Sequence, residues 1–291
     1  MLKRALIIFF STALLAATQE KPPLGIVTGV QGGARIFDSG SKAGRDAEIA
    51  DVLFSGYRLV TSNQGNVDFV FCPTGISVSV LPHSEVRIAA DGFTLLHGNL
   101  GQQHNVPSCQ VPAAHMSMPG SHVGGVTMRG ERKLNLLSPA GDKISPDALI
   151  FRWKPMKSAT DYRLSLSDED GGEQFWEADS TMTSLAYAGK TVLRPGKNYL
   201  WRVTALSGDS VLDSSSAELT VFTTEDLTRI DQVRATAAND MELHLLLGML
   251  YEQLHSPELA LGQYEEIKPT KKQGWLAKKI IALRTGLGEA P

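Results

Sequence analysis

Apolar residues along this 291-residue chain follow two different periods, and the change of period divides it. From Leu24 to about Pro112 they fall in short alternating runs: YRLVT (57–61), NVDFVFC (66–72), ISVSVL (76–81), EVRIA (85–89) and FTLLHG (93–98). Val67, Phe69 and Phe71 share one face of their run, as do Ile76, Val78 and Val80 of the next. Short strands spaced about ten residues apart, with Gly, Pro, Ser and Asn between them, predict an all-β sandwich or barrel. A second β-region runs from about 145 to 223, with Tyr162, Leu164 and Leu166 alternating, and Tyr199, Trp201, Val203 and Ala205 after them. Its DEDGG (168–172) suits a hairpin turn, because Asp and Gly tolerate positive φ. From Asp226 the spacing becomes three and four, which predicts helices over 226–238, 240–255, 256–267 and 273–285. Ser256-Pro257-Glu258 has the order of an N-cap followed by proline at the first helical position. The fold class is therefore mainly β with an all-α C-terminal region.

Each region resembles a known family. LFSGYRLVTSNQGNVDFVFCPTGISVSVLPHSEVRI followed by TLLHGNL is similar to the extracytoplasmic domain of FecR-type proteins, through Gly56, Thr61, Val67, Phe69, Ser84, Val86, Ile88 and Gly98. Tyr57 stands where that family usually has Asp. The resemblance implies the external β-domain without the cytoplasmic anti-sigma segment and membrane span. LRPGKNY (193–199) resembles the tyrosine corner of immunoglobulin-like sandwiches, and with Trp153 it makes 145–223 similar to a fibronectin type III domain. Trp153, Tyr162, Tyr199 and Trp201 are then expected in its core, where large aromatics dominate the packing. Leu247, Gly248, Tyr251, Ala260 and Tyr264 resemble a tetratricopeptide repeat, in which small residues let two helices approach. The Pro expected just after that unit is displaced to Pro269. A single repeat buries too little alone, so the flanking helices would act as caps.

The first residues change the picture of where this chain works. Lys3 and Arg4 precede an apolar run from Ala5 to Ala17, and small residues follow. That is the order of a secretory signal peptide, placed at 1–18, and the run is shorter than the roughly 20 residues that span a bilayer. No transmembrane segment is expected in the mature chain. Losing Lys3 and Arg4 moves the net charge from −3 to −5, so nucleic acid is not an expected partner. Only Cys72 and Cys109 could pair. An oxidising compartment favours their disulfide, and two separate buried thiols are the alternative. Closing that loop would stabilise the domain by about 4 kcal/mol.

A search for chemistry returns little. Neither a zinc-protease HExxH, a phosphate-binding GxxxxGK[ST] nor a nucleophile-elbow GxSxG is present. SGSK (39–42) mimics a Ser-Lys nucleophile motif without its partner motifs, and DEDGGE (168–173) lacks the ligand spacing of a calcium loop. Lys271, Lys272, Lys278, Lys279 and Arg284 read as a solvated helix face. Between the β-regions, AAHMSMPGSHVGGVTM (113–128) places His115, Met116, Met118 and His122 close together, ligands that copper(I) accepts. Its Pro and Gly residues favour a connector, assigned to 113–144 between a β-domain at 24–112 and the sandwich at 145–223.

These observations lead to an exported, non-catalytic binding or scaffold protein of the bacterial envelope, periplasmic or secreted. Two β-domains would form a rod, and helices at 226–285 would engage a protein partner. The alternatives are a ligand sensor or binder of cell-wall glycan and, further off, a copper binder. No cofactor is expected.

Overall fold

The computed structural model describes residues 21–112, 134–168, 172–267 and 274–289. The first β-region is a sandwich of two five-stranded sheets. In chain order its strands are β1 (Pro23–Gln31), β2 (Ala34–Phe37), β3 (Arg45–Asp46), β4 (Val52–Phe54), β5 (Arg58–Thr61), β6 (Asn66–Phe71), β7 (Ile76–Val80), β8 (Glu85–Ala89), β9 (Gly92–His97) and β10 (Leu100–Asn105). One sheet runs β10-β7-β6-β1-β4 and the other β3-β2-β5-β8-β9. The alternating residues face inward: Val67, Phe69, Phe71, Val78 and Val80 meet Ile36, Leu59, Val86 and Ile88 of the opposite sheet. Phe93 closes the edge of this core with its ring 5.3 Å from that of Phe69.

Sheet one is also covered on its outer face, which alternation alone does not anticipate. Ile26, Val70 and Cys72 belong to a second core, shared with the C-terminal helices. The sequence carries that signal at Phe69-Val70-Phe71-Cys72, an uninterrupted apolar run of the kind found in strands buried on both faces.

The second β-region comprises β11 (Leu136–Ser138), β12 (Lys143–Ile144), β13 (Ile150–Trp153), β14 (Asp161–Asp168), β15 (Gln174–Ser180), β16 (Ser184–Ala186), β17 (Asn198–Ser207) and β18 (Ser210–Val221). Sheet β11-β13-β16 packs on sheet β12-β18-β17-β14-β15, a fibronectin type III-like strand order. β11 and β12 lie in the stretch expected to be connector. They are strands because Leu136 and Ile144 bury into the sandwich core, and backbone pairing with β13 and β18 follows. The aromatics predicted for the core are all in it, with Trp153 against Tyr162 and Trp201 against Phe151. The Tyr199 hydroxyl accepts a hydrogen bond from the Arg194 amide at 2.9 Å, which forms the tyrosine corner.

Four helices follow: α1 (Thr224–Thr236), α2 (Asp240–Gln253), α3 (Pro257–Glu265) and α4 (Trp275–Gly286). Thr223 and Asp226 form a capping box that starts α1, and Asn239 caps α2 by accepting from the Glu242 amide. Ser256 occupies the N-cap position of α3 but makes no side-chain cap bond, so proline at the first position carries that start. α2 is central, packed between α1 and α3 and against β1. Gly248 lets α3 approach: a Cβ there would sit 2.3 Å from the ring of Tyr264. Tyr251 turns the other way and stacks on Phe222, at the exit of the second sandwich.

Gly248→Ala should gain about 1 kcal/mol of helix propensity and lose more by overpacking against a buried ring. Urea denaturation should show a net loss of about 1–2 kcal/mol, and a neutral result would mean α2 and α3 are less closely apposed than described.

Candidate interaction surfaces

The surface this chain can offer a partner depends on which helix faces its own sandwiches already occupy. Residues 106–112, which leave the first sandwich, form the seat of the helices. The Val106 amide donates to Gly75, where positive φ and the absent Cβ let the strand exit pass at van der Waals distance. Cys72 and Cys109 are joined by the predicted disulfide, with Cα atoms 4.5 Å apart. Val106 and Val111 then enter the helical core, and the Trp275 indole donates to the Pro112 carbonyl at 2.9 Å. Beside the disulfide, Arg229, Val233, Leu246 and Leu250 complete a cleft of about 10 Å³, room for one water.

The contact between α2 and sheet one carries a single buried carboxylate. Glu242, 1% exposed, accepts from the Ser77 hydroxyl at 3.1 Å and lies 3.0 Å from His104 Nε2. A row of ion pairs joins the helices to the second sandwich. Lys143 reaches Asp226 at 2.9 Å, and Arg152 reaches Glu258 at 2.7 Å and Glu289 at 3.6 Å. Burial pushes the Asp226 carboxyl up, but hydrogen bonds from Lys143 and Thr223 outweigh it and hold the group below its ordinary range. Burial pushes Glu258 up against the opposing pull of Arg152. None of these groups forms a sequence motif. Glu242 sits in the first turn of α2, and Ser77 and His104 lie on β7 and the edge strand β10.

Lys279 does not lie on a solvated face. It is fully buried, 2.5 Å from Glu252, which also accepts from the Tyr264 hydroxyl at 2.7 Å. Burial raises both Glu252 and Tyr264. The helix period placed Lys279 on the charged face because Lys278 precedes it, yet its ammonium serves the α2–α3–α4 junction. Lys278 is exposed, Arg284 pairs with Glu265 at 2.6 Å, and Lys271 and Lys272 lie outside the described residues. His115, Met116, Met118 and His122 also lie outside them, so the copper alternative meets no geometry. Ser39 to Lys42 form an exposed turn.

Leu247, Gly248, Tyr251, Ala260 and Tyr264 are all internal. What remains outward on α4 is a stripe of Lys278, Ile281 and Thr285, with Ile281 47% exposed. On the second sandwich Met182, Val192 and Val211 are exposed singly. Among the described residues no helix is long and apolar enough to cross a membrane.

No protein-family model and no curated protein matches the chain. Similar solved structures include the fn3 domain of human collagen alpha-1(XX), 21% identical over 34% of this chain and 92% of that one, with a TM-score of 0.26. A two-domain fibronectin type III segment of chicken tenascin is 12% identical over 69% of this chain and 95% of that one, at 0.22. A β-glucuronidase from Ruminococcus gnavus is 11% identical over 70% of this chain and 34% of that one, at 0.20. The second sandwich is identified by its strand order, and these likenesses add nothing about function.

Two stability outcomes follow. Replacing both cysteines by serine should cost about 4 kcal/mol by the loop-entropy relation for a separation of 37 residues. Trp275 fluorescence should shift with it as the 106–112 seat loosens; an unchanged emission would separate the disulfide from helix docking. Lys279→Met should cost about 3–5 kcal/mol in urea denaturation, because Glu252 is left buried without its cation. Adding Glu252→Gln should recover most of that loss, and failure to recover would show that the pair itself, not the orphaned charge, matters.

Proposed function

We propose that this chain is an exported, non-catalytic binding protein of the bacterial envelope, with two β-sandwiches held in one body by a helical clasp. Its first module is the FecR-like external domain and its helices a single tetratricopeptide-like unit with caps. The observation that carries the reading is the docking of the helical unit on both sandwiches, through the disulfide-tied seat on one side and the Arg152 and Lys143 ion pairs on the other. Such an assembly fixes the positions of outward faces relative to each other, which serves recognition by lowering the ordering cost of binding. Export is supported by the leader-like first residues and by the disulfide, since such bonds persist in oxidising compartments.

The inner faces of α2 are spent on the sandwich and on neighbouring helices, so the protein partner is assigned to the outward stripe of α4. An exposed Ile flanked by a lysine and a threonine provides an apolar anchor with a polar rim. Covalent capture on the full chain in its native host tests this. Ile281→Asp should lose the principal captured protein, and Val192→Asp, at a 79% exposed position on the second sandwich, should keep it. The reverse pattern would move the binding face to the sandwich. Mass spectrometry of the captured chain should find its first residue near Ala17 or Thr18, and retention of residues 1–16 in most molecules would contradict export by cleavage.

A further inference from the structure

Most open sheet edges of this fold are blunted. The edge strands β3, β4, β11, β12 and β16 have two or three residues each. β15 is longer but carries the exposed acids Glu177 and Asp179, and β10 is polar after Leu100. β9 differs. It edges the β3-β2-β5-β8-β9 sheet with six residues, GFTLLH, none of them Asp, Glu, Lys, Arg or Pro. Leu95 is 37% exposed on it and Leu96 42%.

The open hydrogen-bonding groups of β9 can be assigned from its neighbour. The Ile88 amide donates to the Tyr57 carbonyl and the Ile88 carbonyl accepts from the Gly56 amide, so both groups of Ile88 are turned towards β5. Phe93 stands opposite Ile88, so its amide and carbonyl turn away from β8, to the open edge. Leu95, opposite Val86 two residues on, repeats that orientation. The edge thus presents two N–H and two C=O groups with no partner strand among the described residues. Leu96 is the extra residue of a bulge, which ends the straight part of the strand. Beyond it the chain is held, since the Asn99 amide donates to the Ser84 hydroxyl at 2.8 Å and that hydroxyl donates to the Asn99 carbonyl at 3.0 Å.

We infer that β9 is a self-association edge, pairing antiparallel with β9 of a second copy about a two-fold axis at Thr94. The open groups select this register. Phe93 then lies opposite Leu95 of the second copy, and the reverse, so four hydrogen bonds form and no open group of either straight segment is left over. Centring on Leu95 instead would form two and set Phe93 against the bulged end. The chosen register also places Leu95 against the second copy's Phe93 on the inner face, and Thr94 against Thr94 on the outer one. Counting outward sets Asp91 of one copy beside His97 of the other, an acid beside a base, both exposed. A two-fold contact uses the same patch on both copies and closes at two. It covers less than the roughly 1,000 Å² of a lasting interface, so the dimer is weak and concentration-dependent. Pairing needs nothing from α4, but it doubles whatever surface the chain offers and so adds avidity.

Sedimentation of the oxidised chain, purified as its host makes it, tests this over a dilution series. The wild type should pass from monomer to dimer as concentration rises. Leu95→Pro removes an edge N–H that takes no part in the β8 ladder, and Leu95→Lys adds a charge beside the axis; each should weaken the dimer at least about 10-fold. Ile281→Asp should leave it unchanged. Thr94→Cys reads the register directly. Opposed residues of a non-hydrogen-bonded pair have Cα atoms about 4.5 Å apart, within disulfide reach, so mild oxidation should give a covalent dimer. It should form about 10-fold faster or more than with Val211→Cys, a 65% exposed position on the second sandwich. A wild type that stays monomeric throughout would overturn the inference. So would a dimer kept by both Leu95 variants or lost with Ile281→Asp, or a Thr94→Cys chain that crosslinks no faster than Val211→Cys.

Discussion

The arrangement of the whole molecule depends on one apolar contact, between α2 and the outer face of sheet one. Ile26 and Val70 lie in mid-sheet, and without a cover they would leave an apolar patch on a sandwich otherwise bounded by polar side chains. Leu245, Leu246 and Met249 provide that cover and are themselves fully or almost fully buried. Burial of this kind yields about 25 cal/mol per Å² of apolar area, and it has no directional preference. Direction comes from polar groups: Glu242 can be buried only where Ser77 and His104 meet it, so α2 can sit on the sheet in one register.

That contact explains how the α2–α3 helix pair is stable without a stack of further helices. A repeat has two open faces, and each needs a surface to bury against. Here the sheet takes one face of α2 and Phe222 at the exit of the second sandwich takes Tyr251, with α1 and α4 closing the rest. The helices are thus the place where the two β-modules become one body. An extended rod with a free helical end would leave Val70, Val106 and Val111 in water, which the apolar run at 69–72 opposes.

How much of this was legible follows from period and partner. Strands with clean alternation, such as β6 and β7, and the helices with three–four spacing, can be read because one face of each meets one core. The disulfide was legible because the sequence holds only two cysteines and both fall in the first β-region, where strands end. β10 and β12 were not, since Gln102, Gln103 and Lys143 carry no apolar period and become strands through backbone pairing with β7 and β18. Lys279 shows the same limit from the other side. Helical spacing reports where a side chain points, but not whether a carboxylate such as Glu252 waits there. The clasp residues Glu242 and Glu258 were invisible for that reason: Ser77, His104 and Arg152, which meet them, lie 165, 138 and 106 residues away in sequence, and no local pattern records such distances.

The disulfide and the polar seats also divide the work of holding the clasp. Cys72–Cys109 fixes the 106–112 segment to the strand exit of β6, which reduces the freedom of the seat before any helix docks. The ion pairs cannot do this, because exposed or half-exposed pairs contribute at most about 1 kcal/mol each. Lys143–Asp226 and Arg152–Glu258 are instead selective: they reward one orientation of the helices on the second sandwich and leave misdocked carboxylates uncompensated. A covalent tie on one side and charge complementarity on the other therefore set different properties, the first the persistence of the seat and the second the angle between the two sandwiches. Any surface that spans both β-modules inherits its shape from that angle, and so from a handful of side chains that touch no partner.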